Sequence, residues 1–431
     1  MSSRWLYSLL LYLLLPAATL RFLWRGWRNA AYRGSLKEQL GYGPSRNDRP
    51  LWLHAASVGE LRALAALLPV LDDAAPVLIT VTTPTGCARA RELFAAARFE
   101  VRAAPWDLPG ATRRFLAAAG PRAGVFVETE LWPNLVAAAR ARKVPLALVS
   151  ARLSQRSFGR YRRWAPTMMR ETVQAFVAVG VQGEADRDRF IRLGAAPSSV
   201  SLVGNLKFDL PLDPDLPARG AALRARWAPG RALWTAGSTH PGEEAMLVEA
   251  QRQLLAAART SGAVAPLLAL APRRPERFVA ASRWLVAQGL RHVISSASEA
   301  AAAPTDLEVL LIDEMGVLQD WYAAADIAFV GGSLVRVGGH NLLEPAALGK
   351  PVLTGPHVFN APDVARCLMA GGGAQVVGNA AEIAARLSDW LNDAEALAQA
   401  GSQAAAAVAA NRGAARRAGA LLSRPPFRPA P

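Results

Sequence analysis

Two successive series of short apolar runs constrain the fold of this chain more than any other feature. Seven runs between residues 51 and 205, and seven more between residues 233 and 378, have the composition of strands, with helical patterns rich in Ala, Leu and Arg between them. Such alternation is typical of a parallel sheet covered by helices on both faces. The sequence therefore predicts an α/β protein with two Rossmann-like domains facing a ligand cleft at the carboxyl ends of their strands.

Length and composition agree with this division. The chain has 431 residues, 52% of them apolar, which is enough to bury a large core in each half. Residues 208–230 are rich in proline and lack a sustained strand pattern, so they indicate a linker. We expect one Rossmann-like domain over residues 31–210, a second over residues 211–424, and a disordered tail over residues 425–431.

The first 30 residues predict a membrane anchor. Residues 5–20 are uncharged and mostly apolar, and arginines follow at positions 21, 25, 28 and 33. The positive-inside rule places these arginines, and everything after them, in the cytoplasm. A buried core helix is the alternative, because apolar segments of this length also occur in protein cores. We expect residues 1–30 to hold the chain at the cytoplasmic face of a membrane.

The charge of the chain points to an acidic partner. With 49 basic and 34 acidic residues the formal net charge is +15, which suits nucleic acid or anionic lipid. The arginine-rich segment 150–170 also contains Tyr161, Trp164 and Met168, a combination that fits either a membrane boundary or a solvated helix face. Together with the N-terminal segment, this favours an anionic membrane over nucleic acid. The two cysteines lack metal-ligand spacing, so no zinc site is predicted.

Residues 331–355 predict a nucleotide-sugar pocket. Glycines after an apolar run let the backbone approach a ligand closely, with N–H groups that can face a phosphate. Pro345 suits the first turn of a helix, which places Glu344 beside the helix start, with Asn341 and His340 just before it. A carboxylate there can accept hydrogen bonds from ribose hydroxyls, and helix-start amides favour phosphate. An ordinary capped strand-to-helix turn is the alternative.

Glutamates follow two predicted strands of the first series. Glu60 ends the segment LWLHAASVGE at the start of a helix, where it can act as a general base or merely complement the helix dipole. Glu128 and Glu130 close a later strand, and acids there are costly to bury without partners. Alternation along an extended chain puts both on the same side, so either one can face a reacting centre. We expect the lone His54 to point elsewhere or to pack in the loop, because a lone histidine is more often structural than catalytic.

Two cations also follow predicted strands. Lys207 and Arg273 occupy positions where a positive charge can neutralise a phosphate leaving group, or can form a structural salt bridge. The Gly-Ser loop at 237–244 adds another turn into a helix. No P-loop, HExxH pair or nucleophile elbow occurs in the sequence.

Seven motifs, in order along the chain, carry a family resemblance. They are HAASVGE, ETELWPN, SARLS, GNLKFD, GSTHPGEE, APRRPER and GGHNLLEPAALGKPVLTGPH. Together they resemble the 3-deoxy-D-manno-octulosonic acid (Kdo) transferases of lipopolysaccharide synthesis. The resemblance implies the two-domain GT-B glycosyltransferase architecture, with an acceptor-binding first domain and a CMP-sugar-binding second domain. It also implies CMP-Kdo as donor and a lipid A precursor as acceptor, at the cytoplasmic face of the bacterial inner membrane.

The resemblance assigns roles to individual residues. Glu60 matches the general base of the family, and Glu130 and Lys207 match residues that stabilise the transition state. The CMP-binding segments of the family correspond here to Pro272, Arg273, Met315, Gly316, Val317, Asn341, Leu342, Leu343 and Glu344. Many members carry an acid where this chain has Val317, so only backbone contacts are expected at that position.

These inferences combine into one hypothesis. We expect an inverting transfer of Kdo from CMP-Kdo to a precursor of the lipid IVA type, without metal or cofactor, because fixed cations and dipoles can supply the charge. A GT-B enzyme using a UDP-sugar is one rival, and competition by CMP against UDP separates the two. A non-enzymatic membrane or nucleic-acid binding protein is the other, and its binding would fall steeply with salt and survive loss of Glu60.

Overall fold

The chain folds into two compact units, each built on its own sheet. The computed structural model describes residues 3–28, 32, 35–71, 75–209, 211–296 and 306–427. One unit comprises Met1–Leu210 with Asn411–Pro431, and the other comprises Pro211–Ala410. Within the described residues each unit contains seven strands, and every pairing between them is parallel. The α/β class and the two series of seven strands are confirmed.

The first unit begins with a long helix and then alternates strands with helices. Its strands are β1 (Leu51–Ala55), β2 (Val77–Val81), β3 (Phe99–Ala103), β4 (Ala123–Val127), β5 (Leu146–Ala151), β6 (Phe176–Val181) and β7 (Val200–Leu202). Its helices up to that point are α1 (Ser3–Arg28), α2 (Ser35–Gln39), α3 (Val58–Leu67), α4 (Pro84–Leu93), α5 (Pro109–Ala119), α6 (Pro133–Ala141), α7 (Gln155–Trp164), α8 (Pro166–Gln174) and α9 (Glu184–Leu193). The strand order is β3-β2-β1-β4-β5-β6-β7.

The second unit repeats this organisation with shorter outer strands. Its strands are β8 (Leu233–Thr239), β9 (Leu267–Pro272), β10 (His292–Ile294), β11 (Val309–Leu311), β12 (Ile327–Val330), β13 (Val352–Thr354) and β14 (Ala374–Val376). Its helices are α10 (Leu216–Trp227), α11 (Glu243–Ser261), α12 (Phe278–Ala287), α13 (Leu318–Ala324), α14 (Leu343–Ala347), α15 (Pro362–Ala370), α16 (Ala380–Asn392) and α17 (Ala394–Asn411). The strand order is β10-β11-β9-β8-β12-β13-β14.

Helices cover both faces of each sheet, so the central strands are buried along their whole length. All residues of β1, β2, β4 and β5 are buried, as parallel strands require. On one face of the first sheet, Trp52 and Phe126 meet edge to face with ring centroids 4.9 Å apart. The Trp52 indole N–H donates to Thr80 Oγ1 at 2.8 Å, which satisfies its polar atom inside the core.

Helix α1 lies along the first unit. Near its start the Tyr7 hydroxyl donates to Asp107 at 3.0 Å, and closer to its end Phe22 meets the edge of Trp106 with centroids 6.0 Å apart. The opposite face of the helix exposes large apolar side chains, including Leu13 and Trp24. Ser3–Trp27 is long and apolar enough to cross a membrane, and it is not a core helix.

Residues 208–230, predicted to be a linker, lie where the chain passes from the first unit to the second, and much of the segment is helical. They contain the twelve-residue helix α10, with Pro217 in its first turn. Proline is tolerated there because the first N–H groups of a helix have no partner within it. The chain therefore enters the second unit through a helix that packs on α13.

The end of the chain returns to the first unit, so the assignment of residues 411–424 to the second domain is corrected. Helix α18 (Ala414–Leu422) starts where Asp209 accepts hydrogen bonds from the N–H groups of Gly413 and Ala415, at 2.6 and 2.5 Å. Its apolar face packs on α3. Phe427, predicted to lie in a disordered tail, is buried in the first core, and residues 428–431 of that tail lie outside the described residues.

Candidate functional site

The first unit gathers three glutamates at the carboxyl ends of β1 and β4. These strands are neighbours in the sheet although β2 and β3 separate them in sequence, so the strand order reverses between them. Ligands of open α/β sheets bind at such a reversal. Glu60 lies in the first turn of α3, directly after β1, and Glu128 and Glu130 follow β4. The charges of Glu130 and Glu128 are close enough to raise the pKa of Glu60.

Glu60 caps the helix on which it lies. The Ser57 hydroxyl accepts the Glu60 N–H at 3.3 Å and donates to the Glu60 carboxylate at 2.8 Å. The backbone N–H of Ala56 donates to the other carboxylate oxygen at 2.7 Å. These bonds form a variant of the capping box, in which the carboxylate accepts the N–H of Ala56 rather than that of Ser57, and they hold it in one place at the edge of the sheet. Capping and catalysis are compatible roles, because the same bonds that stabilise the helix also orient the group.

Burial raises the pKa of Glu60 from 4.5 to about 7. The residue is 7% exposed, and repulsion from Glu130 and Glu128 acts in the same direction as the loss of hydration. The hydrogen bond from Ala56 opposes the rise, since it favours the charged form. A carboxyl group that titrates near neutral pH is well matched to general base catalysis.

Two ring nitrogens lie beside the Glu130 carboxylate, and one of them donates a hydrogen bond to it. The Trp132 indole N–H donates to Glu130 Oε2 at 2.6 Å, and His54 Nε2 lies 3.4 Å from the same oxygen. The expectation that His54 packs in the loop is wrong, because the residue lies inside β1, where it is fully buried. Its Nδ1 shares a hydrogen bond of 2.9 Å with Thr80 Oγ1, which fixes the ring with its other edge toward Glu130. His54 thus joins the acidic cluster as a neighbour of Glu130.

Glu128 forms an ion pair with Lys207, and both side chains are mostly buried. Lys207 lies in the 3-10 turn Leu206–Phe208 after β7, and its side chain passes close to Gly59 in the first turn of α3. Glu128 has a φ of 61°, so the chain leaves the extended conformation at this residue. Strand alternation therefore does not apply to Glu128 and Glu130, and tertiary contacts distinguish them: one pairs with a lysine, the other with a histidine and an indole.

The glycine turn after β12 is occupied by a carboxylate from its own unit. The Glu243 side chain, fully buried, accepts the backbone N–H groups of Gly332, Ser333 and Leu334 at 2.7 to 2.9 Å. It also accepts the N–H of His240 at 2.9 Å. These loop N–H groups, which the sequence predicts to face a phosphate, instead hold the start of α11 against the turn. Their role in the folded chain is structural.

Two histidines meet above this turn. His240 and His340 stack with ring centroids 5.1 Å apart, and their Nε2 atoms are 2.9 Å apart, so one nitrogen donates to the other. Burial lowers the pKa of His240, and the nearby Arg274 and Arg273 act in the same direction. Because His340 directly precedes Asn341, the contact between the two histidines holds the backbone where the segment expected to bind nucleotide begins.

The residues matched to CMP binding lie after strands β9, β11 and β12 of the second unit. Pro272 ends β9, and the N–H of the exposed Arg273 donates to the Thr239 carbonyl at 3.0 Å. Met315, Gly316 and Val317 form the turn between β11 and α13, and Gly316 has a φ of 90° with open space beside it. The carboxyl ends of parallel strands lie at one edge of a sheet, so these segments share that edge.

The segment Asn341–Glu344 forms a closed polar turn at the start of α14. Asn341 Nδ2 donates to the Glu344 carboxylate at 3.1 Å, and Asn341 Oδ1 accepts the Leu343 N–H at 3.2 Å. Leu342 and Leu343 are buried, and Glu344 is largely so. Pro345 lies in the first turn of α14, as predicted. Within the part of the chain that the structure describes, no group of three His, Cys, Asp or Glu side chains is arranged to hold a metal ion.

The arginine-rich segment 150–170 forms much of α7 and the start of α8. Arg160 and Arg163 lie over the rings of their neighbours Tyr161 and Trp164, and Trp164 is 74% exposed. Met168, predicted to suit a membrane boundary, is buried in the core of the first unit instead. The exposed surface of α7 is therefore basic and aromatic.

Comparison with known proteins identifies the family of this chain. Residues 34–210 match the family model described as 3-Deoxy-D-manno-octulosonic-acid transferase (kdotransferase). The chain is 41% identical to the 3-deoxy-D-manno-octulosonic acid transferase of Bordetella pertussis, over 96% of this chain and 97% of that protein. It is 35% identical to the enzyme of the same name from Haemophilus influenzae, over 90% and 91% of the two chains. The resemblance carried by the seven motifs is confirmed.

A solved structure shares the architecture. The crystal structure of UDP-GlcNAc 2-epimerase from Neisseria meningitidis bound to UDP-GlcNAc covers 86% of this chain and 98% of that chain, with a TM-score of 0.54 and 14% identity. At that identity the likeness concerns the fold alone, and it supports the GT-B type of two doubly wound units.

Proposed function

The chain belongs to the Kdo transferase family and is a glycosyltransferase, and we propose that it moves Kdo from CMP-Kdo, with inversion, to a lipid A precursor of the lipid IVA type. One observation carries the proposal: Glu60 is buried and held by hydrogen bonds at the reversal of strand order, where burial raises its pKa to about 7. A base that ionises near neutral pH and is oriented by hydrogen bonds from Ala56 and Ser57 is suited to take a proton from a sugar hydroxyl.

In the proposed reaction Glu60 removes the proton of the acceptor hydroxyl as its oxygen attacks the anomeric carbon of Kdo. The bond between that carbon and the phosphate oxygen breaks, and CMP leaves with the electron pair. Attack opposite to the leaving group inverts the configuration. Glu130 and Lys207 stabilise the charge of the transition state. The Trp132 indole N–H holds Glu130, and the ion pair with Glu128 holds Lys207.

Donor binding is assigned to the second unit. Arg273 is exposed and supplies a positive charge for the phosphate of CMP, and the Glu344 carboxylate accepts from ribose hydroxyls. Pro272, the Met315–Val317 turn and the Asn341–Leu343 backbone complete the proposed CMP site. The fixed positive charge of Arg273 supplies neutralisation that a divalent metal could otherwise provide, so we propose that none is needed.

Two surfaces of the first unit support a position at the cytoplasmic face of the bacterial inner membrane. Helix α1 presents a continuous apolar face to its surroundings, which an aqueous environment disfavours. Helix α7 carries exposed arginines beside Trp164, and this pairing suits the headgroup region of an anionic leaflet.

The test is transfer to a defined acceptor by purified protein in detergent. With freshly generated CMP-Kdo and EDTA, mass spectrometry of the lipid should show one or more added Kdo units. Glu60→Gln should abolish this gain while CMP still binds, whereas Glu184→Gln, in the first turn of α9, should retain activity as a matched control. An unchanged lipid with intact CMP binding would refute the acceptor, and binding of UDP in preference to CMP would refute the donor.

A further inference from the structure

A cavity of about 320 Å³ lies between α1 and the carboxyl edge of the first sheet. Its roof is formed by apolar side chains of α1, among them Leu11, Leu15 and Ala18. Its floor and walls include Trp106 and Leu135, from the loop after β3 and from α6. The lining is mainly hydrocarbon and aromatic, so water gains little from filling it.

The carboxylate in this lining is already satisfied. Asp107 accepts the Tyr7 hydroxyl and the backbone N–H groups of Asn134 and Leu135, at 3.0, 3.1 and 2.7 Å. It therefore caps α6 and pins α1, and its hydrogen-bonding capacity is used by these contacts. The described residues that line the cavity include no lysine or arginine to pair with an anionic ligand group. The ligand must accordingly be apolar where it enters.

The inner end of the cavity adjoins the acidic cluster. His54 and Trp132 line the cavity, and both contact the Glu130 carboxylate, at 3.4 and 2.6 Å. When the apolar portion of a molecule fills the cavity, only the side chains of His54 and Trp132 therefore separate that molecule from the Glu130 carboxylate.

The outer end of the cavity meets the apolar surface of α1. Leu14 lines the cavity and is nevertheless 54% exposed, next to Leu13 and Leu10 on the outward face of the helix. If α1 lies in a membrane, lipid chains surround this face. A hydrocarbon chain can then pass from the membrane into the cavity without crossing water, which is the route of lowest desolvation cost.

We infer that this cavity binds one fatty-acyl chain of the lipid acceptor and thereby positions the acceptor sugar beside Glu130 and Glu60. The inference rests on the proposed function, since it requires a lipid acceptor. The size of the cavity suits a single chain, and its apolar lining recognises hydrocarbon by length. Each buried methylene should strengthen acceptor binding roughly fourfold until the cavity is filled.

The first test fills the cavity from its roof. Ala18→Trp places an indole in the cavity, and Leu13→Trp adds the same indole to the outward face of α1 as a matched control. For acylated acceptors, Ala18→Trp should raise KM at least tenfold and flatten its dependence on chain length, with the KM of CMP-Kdo unchanged. For a water-soluble, deacylated acceptor, Ala18→Trp and Leu13→Trp should behave alike. Equal KM values of the two variants for acylated acceptors would overturn the inference.

The second test needs no variant and no turnover. A lipid A precursor with a diazirine at the end of one acyl chain is photolysed with the native protein, and the crosslinks are mapped by mass spectrometry. Crosslinks to Leu11, Leu15 or Trp106 support the cavity site. Crosslinks confined to Leu13 and Trp24 on the outward face would overturn it, because they record bulk lipid only. Absence of Kdo transfer to any acylated acceptor is a separate result, which refutes the proposed function.

Discussion

The pH dependence of the Glu60→Gln variant offers a direct test of the physical state of Glu60. Raising its pKa from 4.5 to about 7 means that ionising this carboxyl in the folded chain costs roughly 3 kcal/mol more than in the unfolded chain. The folded state binds the proton more tightly, so this group stabilises the fold most below pH 4.5. That stabilisation is lost as the pH rises through about 7. The amide of the Glu60→Gln variant cannot ionise, and it keeps an oxygen for the Ala56 N–H.

The expected result is a pH-dependent difference in the free energy of unfolding. Between pH 5 and pH 8, the native protein should lose roughly 2 to 3 kcal/mol relative to Glu60→Gln. Urea unfolding of the protein in detergent micelles, followed by far-UV circular dichroism at four pH values, measures this difference. Glu184→Gln is the control: its side chain is 64% exposed and stays hydrated in both states, so its curve should run parallel to that of the native protein.

A difference that stays constant from pH 5 to pH 8 would refute the reasoning. It would mean that water reaches Glu60 and keeps its carboxylate hydrated in the folded chain. A difference of opposite slope would show that the hydrogen bonds from Ala56 and Ser57 outweigh burial. Either result would also remove the main support for Glu60 as a base that titrates near neutral pH.

Four further predictions follow from the same contacts. The value of kcat/KM should fall about tenfold for each pH unit below about 7, as Glu60 is protonated, and a profile flat down to pH 5 would exclude it as the base. His54→Phe should lower kcat by about tenfold, because the contact with Glu130 is lost. The KM of CMP-Kdo and the thermal midpoint should stay nearly unchanged, because an aromatic ring is kept. A clear fall of the thermal midpoint alongside kcat would indicate a merely structural role. Glu243→Ala leaves four backbone N–H groups without an acceptor and should destabilise the second unit by roughly 4 kcal/mol and weaken CMP binding in calorimetry. Asp107→Ala should cost about 2 kcal/mol and accelerate proteolysis within α1, since it uncaps α6 and releases Tyr7; unchanged cleavage would mean that α1 is held by its apolar contacts alone.

Much of the architecture can be predicted from the sequence, because the patterns that specify strands and helix starts lie within short segments. Each apolar run between residues 51 and 205 becomes a strand, since β-branched and large apolar residues in short runs fit a sheet buried on both faces. The helix start at Glu60 is likewise encoded by Ser57 three residues earlier, a capping box readable without any structure. At residues 208–230 the prolines predict a linker, but Pro217 lies in the first turn of a helix, where proline is tolerated.

The hydrogen-bond and ion-pair partners of the polar groups could not be predicted from the sequence, because these contacts join residues that are far apart in the chain. Nothing in the local sequence around Glu243 indicates that its carboxylate fills the turn at 332–334, and nothing near His54 points to Glu130. The sequence by itself determined the two sheets, the apolar N-terminal helix and the family motifs. Only the tertiary structure decided which glutamate pairs with Lys207, that α18 completes the first unit, and that a cavity lies beneath α1. Secondary structure follows from the periodicity of neighbouring side chains, whereas hydrogen-bond partners and cavities depend on how the finished elements pack.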